Sequence, residues 1–364
     1  MNKKIFSEID EVFAKVNYSE EEKANLREII KRHPMRIPEY YYDLIDFNDL
    51  HDPIKALAIP SVLEGNSLGE EDTSGEASNT KLPGLQHKYK QTALVLCTNN
   101  CFMYCRHCFR KRMVGYTEKE ILDTLNEAVE YIKAHKEINN VLITGGDAFT
   151  MNNNMIEGYL KELTKMDHLD FIRFGTRSLV VKPDRIYKDK ELLMILKKYR
   201  KLKEIIIVTH FNHVKEITEE SRKAINALKE QGLIVRNQAV LLKGVNDSGD
   251  AIASLFNGLV NSGVEPYYLF QCRPVKGGVH FQVPLTEGID LVDEARGKLN
   301  GISKAFRFIM SHKRGKIEIF GKKDNEMIFK FHQNKFEEDA NKIFTKEIDA
   351  TAVWLDENLN YIRR

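Results

Sequence analysis

Residues 92–112 read TALVLCTNNCFMYCRHCFRKR. The first seven, Thr92 to Thr98, are apolar and β-rich and end at Asn99-Asn100, so they read as a buried strand. The loop after it carries Cys101, Cys105 and Cys108 in a C-x3-C-x2-C spacing. Three thiolates on one short loop can hold three irons of a four-iron cluster and leave the fourth iron open. Thiolates also suit zinc, which closes its structural sites with four ligands. Cys97 or His107 could be that fourth ligand, so zinc is the competing reading. Cys97, inside the strand run, reads instead as a core thiol.

The rest of the chain agrees with a metal or cluster. Four of its five cysteines fall between residues 97 and 108, and the fifth is Cys272. A disulfide framework spreads its cysteines over a small secreted chain, so that reading is excluded. The 364 residues are 42% hydrophobic and 30% charged, with a net charge of +2. Such a balance suits a globular enzyme and gives no basic excess for a nucleic-acid partner. No apolar run approaches the roughly 20 residues of a membrane span. The start, MNKKIFSEIDEVFAKV, is no cleavable signal. A cytoplasmic location, with no membrane partner, is expected.

Further apolar runs lie at 140–145, 171–176, 204–210, 233–242, 266–272 and 306–310, separated by amphipathic helix patterns. The clearest helix signal places Thr117 and Glu120 in a cap, with Ile121, Leu122, Leu125, Ala128, Val129 and Ile132 on one face. Strand–helix alternation implies parallel strands with right-handed crossovers. Polar residues recur where the runs end: Gly145-Gly146-Asp147, Thr176-Arg177, Thr209-His210, Asn237-Gln238 and Gln271-Cys272-Arg273. Barrel sites are built at such ends, so the fold expected is α/β, a partial (βα)6 TIM-type barrel. Before it, residues 1–90 read as a helical region. Ser19 and Glu22 form a capping box there, and the Gly- and Glu-rich stretch 65–84 reads as a mobile loop. The barrel is expected over 91–312. Residues 313–364 read as a small β-rich extension, with strands near 316–320, 327–332 and 351–356.

The C-x3-C-x2-C spacing, with Tyr104 just before its middle cysteine, is that of the radical S-adenosylmethionine (SAM) superfamily. CFMYCRHCFRKR, together with PGLQHKYKQ, ITGGDAFT, THFNHVKEITEES, RNQAVLLKGVND and PYYLFQC, resembles the lysine 2,3-aminomutase family over roughly residues 35–300. The resemblance implies a [4Fe–4S] cluster on Cys101, Cys105 and Cys108, with SAM on the open iron and cleaved to a 5′-deoxyadenosyl radical. It implies that the radical takes hydrogen from an amino-acid-like small molecule whose amine then migrates. Tyr104, Gly145, Gly146, Asp147, Arg177, His210 and Gln238 match positions near SAM, and Arg110 matches the residue that holds the substrate α-carboxylate. An electron donor such as flavodoxin or ferredoxin and a homo-oligomer are implied as partners.

Where this chain departs from that family, the departures bear on substrate and cofactor. The family also uses pyridoxal phosphate (PLP), bound by a lysine in a PGGGGK loop after the last barrel strand. Here the stretch reads SHKRGKIEIF, and Lys316 is the candidate that remains. The family places aspartates near the substrate ε-ammonium at two positions where this chain has Arg273 and Ser311. An arginine repels an ammonium, so free lysine is not the expected substrate and Arg273 is expected to meet an acidic or neutral group. Of the phosphate-binding arginines only a charge at Lys88 persists. PLP binding is therefore left open between two readings, one of which is a PLP-independent radical SAM enzyme acting on another small molecule or a protein residue. A non-catalytic iron–sulfur or zinc protein is the remaining alternative.

Overall fold

The computed structural model describes residues 4–115, 119–122 and 125–364. Seven parallel strands form its centre: β1 (Thr92–Thr98), β2 (Asn140–Gly145), β3 (Phe171–Gly175), β4 (Glu204–Thr209), β5 (Ile234–Leu241), β6 (Glu265–Gln271) and β7 (Arg307–His312). They pair in chain order. Each run named from sequence supplies one of them. Helices α1 (Leu125–Ala134), α2 (Asn153–Leu163), α3 (Lys190–Arg200), α4 (Glu219–Glu230), α5 (Gly249–Asn261) and α6 (Leu285–Gly297) fill the six crossovers. β1 and β7 do not pair with one another. The result is a partial TIM-type barrel of six strand–helix units and a closing seventh strand.

Local chemistry explains most of these elements. Ile205, Ile206, Ile207 and Val208 of β4 are all buried, as expected of a parallel strand covered on both faces. Four helices open on a side chain that accepts a backbone N–H: Asn152 for α2, Asp189 for α3, Thr218 for α4 and Ser248 for α5. Such caps satisfy donors that the first helical turn leaves unpaired. The cap expected at Thr117 lies outside the described residues. The Glu120 carboxylate takes Arg112, at 2.6 Å from Nη2. Ile121 and Leu122 precede α1 instead of lying on its face, and the Leu122 N–H donates to the Leu96 carbonyl of β1 at 2.9 Å.

The sheet continues past both ends of the barrel. A hairpin of Thr80–Leu82 and Leu85–Tyr89 adds antiparallel to β1. Beyond β7, the strands β8 (Gly315–Lys323), β9 (Glu326–Asn334) and β10 (Ile343–Glu347) add antiparallel, for twelve strands in one sheet. β10 had no signal in the sequence, because only Phe344 and Lys346 of its five residues are partly covered. The two flanks meet across the gap between β1 and β7. Lys88 Nζ donates to the His312 carbonyl at 2.6 Å, and Lys316 Nζ lies 4.7 Å from the Tyr89 ring centroid.

The N-terminal region carries the expected helix, Glu20–Arg32, with its Ser19–Glu22 capping box. Short helices follow at Glu39–Tyr42 and Pro53–Ala58. This region backs the cysteine loop: the Tyr104 N–H donates to Arg36 O at 3.1 Å, and the Arg106 N–H to Leu57 O of the second short helix at 3.0 Å. No described helix is long and apolar enough to cross a membrane.

Candidate active site at the barrel mouth

β1 delivers the cysteine loop to the mouth, and the basic run RHCFRKR has to be buried with it. Two carboxylates make that possible. Glu64 accepts from Arg106 Nε at 2.9 Å and Nη2 at 2.6 Å, and from Lys111 Nζ at 2.7 Å. Glu76 accepts on one oxygen from Arg110, Nε at 3.0 Å and Nη2 at 2.8 Å, and on the other from Arg112 Nη2 at 2.7 Å. Both carboxylates are buried, and both titrate below the ordinary range. Burial alone would raise them, but the adjacent cations outweigh it: Glu64 is held far below the usual carboxylate range, and Glu76 falls to about 2. The stretch 65–84, expected as a loop, is therefore a strap across the mouth. Asp72 folds it by accepting from the N–H groups of Ser74, Glu76 and Ala77 at 2.9–3.2 Å. Glu70 bridges to the segment after β6.

Cys101, Cys105 and Cys108 are partly buried at this mouth, and their charges would act on one another. Burial pushes the Cys101 thiol well up and Cys108 to about 11. Soft thiolate ligation would reverse that cost. No three His, Cys, Asp or Glu side chains among the described residues converge as ligands of one ion. A cubane asks for something else, since each thiolate binds a different iron. The donor set fits such a cluster. Arg177 Nη1 lies 2.9 Å from Cys105 Sγ, where it would offset thiolate charge. The other Arg177 nitrogens reach His210 O at 3.1 Å, Tyr41 Oη at 3.1 Å and the buried Glu216 carboxylate. Cys97 is apart from this set: its Sγ contacts Thr144 O at 2.9 Å in the core, and burial raises its pKa. Cys272 is a packed thiol beside Leu57, Leu242, Val245 and Phe281.

The Gly145-Gly146-Asp147 turn packs on the backbone that leads into the cysteine loop. The Gly146 N–H donates to Thr98 O at 2.6 Å and the Asp147 N–H to Asn100 O at 2.8 Å. A Cβ at Gly145 would stand 2.3 Å from Thr98 O, and one at Gly146 would stand 2.2 Å from Asn100 O. The approach itself requires glycine. The Asp147 carboxylate is spent on its own chain: it accepts from Phe149 N, Thr176 Oγ1, Arg177 N and Ser178 Oγ. It organises the turn after β3 and so aims Arg177. His210 follows β4, and burial lowers its pKa to about 4, keeping the ring neutral. Asn237 and Gln238 lie within β5, not at its end. The stagger of the sheet still brings Asn237 level with Thr209, the last residue of β4. Tyr104 packs with Leu96, Met113 and Val114 beneath Cys101 and Cys108.

On the far side of the mouth, Arg273, Ser311 and Lys316 come together. Arg273 Nη2 donates to Ser311 Oγ at 2.7 Å. Ser311 stands directly opposite Lys316 in the β7–β8 pair, so both side chains share a face. Lys316 donates to Gln333 Oε1 at 2.6 Å, and its ammonium lies 4.7 Å from the Tyr89 ring and 5.7 Å from the Tyr268 ring. Enclosure, then the nearby Arg173 and Arg273, lower its pKa from 10.5 to about 7. Glu64, Glu76, Glu216 and Tyr41 were not anticipated. For Glu64 and Glu76 a signal existed: a buried basic run needs carboxylates, and 64–76 is the acidic stretch nearest before it.

Comparison with known proteins places this arrangement. The Radical SAM superfamily model matches residues 95–256. A protein of Aquifex aeolicus (strain VF5) is 37% identical over 98% of this chain and 96% of its own length. The L-lysine 2,3-aminomutase of Clostridium subterminale is 37% identical over 80% of this chain and 70% of its own. The glutamate 2,3-aminomutase of Clostridioides difficile (strain 630) is 36% identical over 82% and 70%. A barrel with three clustered cysteines at its mouth, related along most of its length to such enzymes, is an isomerase-type radical SAM enzyme, and the chain belongs to the lysine 2,3-aminomutase family.

Proposed function

We propose that the chain is a 2,3-aminomutase acting on an amino acid held in the barrel lumen, with a [4Fe–4S] cluster on Cys101, Cys105 and Cys108, SAM beside it, and PLP at Lys316. In such a site the cluster and SAM together supply the hydrogen-abstracting radical, and PLP supplies the carrier for the migrating amine. The observation that carries the PLP assignment is Lys316. Its amine is held between two tyrosine rings on the face it shares with Ser311, with a pKa lowered to about 7. Only a neutral amine can attack an aldehyde, and a surface lysine is almost wholly protonated at neutral pH. Enclosure shifts Lys316 toward the neutral, nucleophilic amine.

The other residues bind and orient. Arg110 has Nε and Nη2 engaged by the Glu76 carboxylate, which a substrate carboxylate would replace to take the same fork. Arg177 and His210 line the side toward Cys105, and Gly145 and Gly146 let the turn pack on the Thr98–Asn100 backbone that leads into the cysteine loop. Lys88 and Arg273 provide positive charge for anionic groups. The test is anaerobic reconstitution with iron, sulfide and PLP. The parent protein should gain the visible absorbance of lysine-bound PLP, Lys316→Ala should not, and both should retain iron. Absence of that absorbance in the parent, with 5′-deoxyadenosine still formed from SAM, would replace this reading by the PLP-independent one.

A further inference from the structure

We infer that the outer face behind the cysteine loop is a docking surface for an acidic carrier protein that delivers single electrons; this rests on the cluster proposed for Cys101, Cys105 and Cys108. An open groove of about 920 Å³ lies there, between the end of helix Glu20–Arg32, the segment after Ser61 and the turn at Val275–Gly277. Its floor is made by neighbours of the cysteines. His33, the residue that closes the helix, lines the groove, and its Nε2 stands 3.4 Å from the Cys105 carbonyl oxygen. Lys111, three residues after Cys108, crosses the floor to Glu64 Oε2 at 2.7 Å and Gly277 O at 2.9 Å. A single imidazole therefore separates the groove from the backbone of a proposed cluster ligand.

The rim suits a protein of negative charge. Four cations line the groove, Arg32, Lys111, Arg112 and Lys276, against two carboxylates, Glu64 and Glu71. Glu64 is already shared by Lys111 with Arg106, and Glu71 reaches Lys276 only at 3.5 Å. Arg32 is exposed and makes no ion pair among the described residues. Apolar side chains flank these charges: Val62, Leu63 and Leu68 are 37%, 58% and 61% exposed. A small anion would leave those side chains in water, whereas a protein surface removes them from it. Cations beside an apolar patch steer an acidic partner toward it and set its orientation. Electron carriers use small, transient interfaces, which suits one groove and its rim. Electron transfer weakens steeply with distance, so a carrier has to dock close to the cluster ligands, as this groove lies. On docking, the carrier loses one electron and the cluster gains it, with no bond made or broken and no proton transferred.

The experiment uses the anaerobically reconstituted protein, its iron content measured first, with two purified probes, an acidic flavodoxin and an acidic ferredoxin. Binding is measured by calorimetry, and cluster reduction by the loss of visible absorbance after mixing with the photoreduced carrier. At least one carrier should bind the parent protein and reduce it. Arg32→Glu combined with Lys276→Glu should weaken that binding and slow that reduction on the order of tenfold at low salt, and added salt should shrink the difference. Leu63→Ser combined with Leu68→Ser should weaken binding at low and high salt alike. Reduction by photoreduced deazaflavin, a small molecule that needs no docking surface, should be the same in every variant. Binding of neither carrier, unchanged affinity in either folded double variant, or equal slowing with deazaflavin overturns the inference. A parent that retains no iron removes the cluster assignment itself, and this inference with it. A parent that retains iron and binds neither carrier removes the docking surface alone.

Discussion

Glu76→Gln isolates the strap that crosses the barrel mouth. The carboxylate is buried and holds Arg110 and Arg112 at 2.7–3.0 Å. Its pKa falls from 4.5 to about 2 in the folded protein. At about 1.36 kcal/mol per tenfold, that difference is worth about 3 kcal/mol at neutral pH. The value agrees with the roughly 3–5 kcal/mol expected for breaking a buried ion pair from one side. Glutamine keeps the shape and loses the charge. Because the strap is a local unit, the loss should appear first as local opening. Hydrogen exchange of the amides that Asp72 accepts from, Ser74, Glu76 and Ala77, should quicken on the order of a hundredfold at pH 7. The folded pKa is depressed, so the stabilisation is complete above pH 4.5 and disappears as pH falls toward 2. Parent and variant should therefore converge over that window. Equal protection at pH 7, or a gap at pH 2.5 as large as that at pH 7, would refute the assignment of the strap's stability to this carboxylate.

Four further outcomes follow from the site. Replacing Cys101, Cys105 or Cys108 by Ser should abolish iron retention after reconstitution, while Cys97→Ser should leave the iron content unchanged. Reductive trapping of PLP on Lys316 should reach half its maximum near pH 7; a midpoint near 10.5, the ordinary lysine value, would contradict the enclosure that lowers it. Arg177→Gln leaves Glu216 buried without its cation and should lower stability by about 3–5 kcal/mol in urea unfolding, with Arg177→Lys recovering only part. Gly146→Ala forces a Cβ to within 2.2 Å of Asn100 O and should shift the cysteine loop, read as reduced iron retention in a protein whose circular dichroism is unchanged.

What could be read in advance followed local rules. The seven barrel strands were legible because apolar β-branched runs alternate with helix periodicity, and parallel strands hide both faces. The cysteine loop was legible because metal ligands on a short loop impose a fixed spacing. Errors fell where pattern and environment separate. The cap expected at Thr117 falls outside the described residues, and the described Glu120 serves Arg112. β10 was missed because a mostly exposed edge strand needs little apolar alternation. Gln238 was placed at a strand end because the sequence does not show the sheet's stagger.

The parallel barrel and the three clustered thiols were legible from periodicity and spacing, which a linear chain displays. The superfamily and the positions at which this chain departs from its relatives came from resemblance to known sequences. Folding in three dimensions set which charges meet: that Glu64 and Glu76 divide the basic run between them, that Asp147 and Glu216 together aim Arg177 at Cys105, and that Arg273 meets Ser311 on the face of Lys316. Pairing energy depends on distance and burial in three dimensions, and residues 76 and 110, or 273 and 311, are neighbours only after the chain has folded.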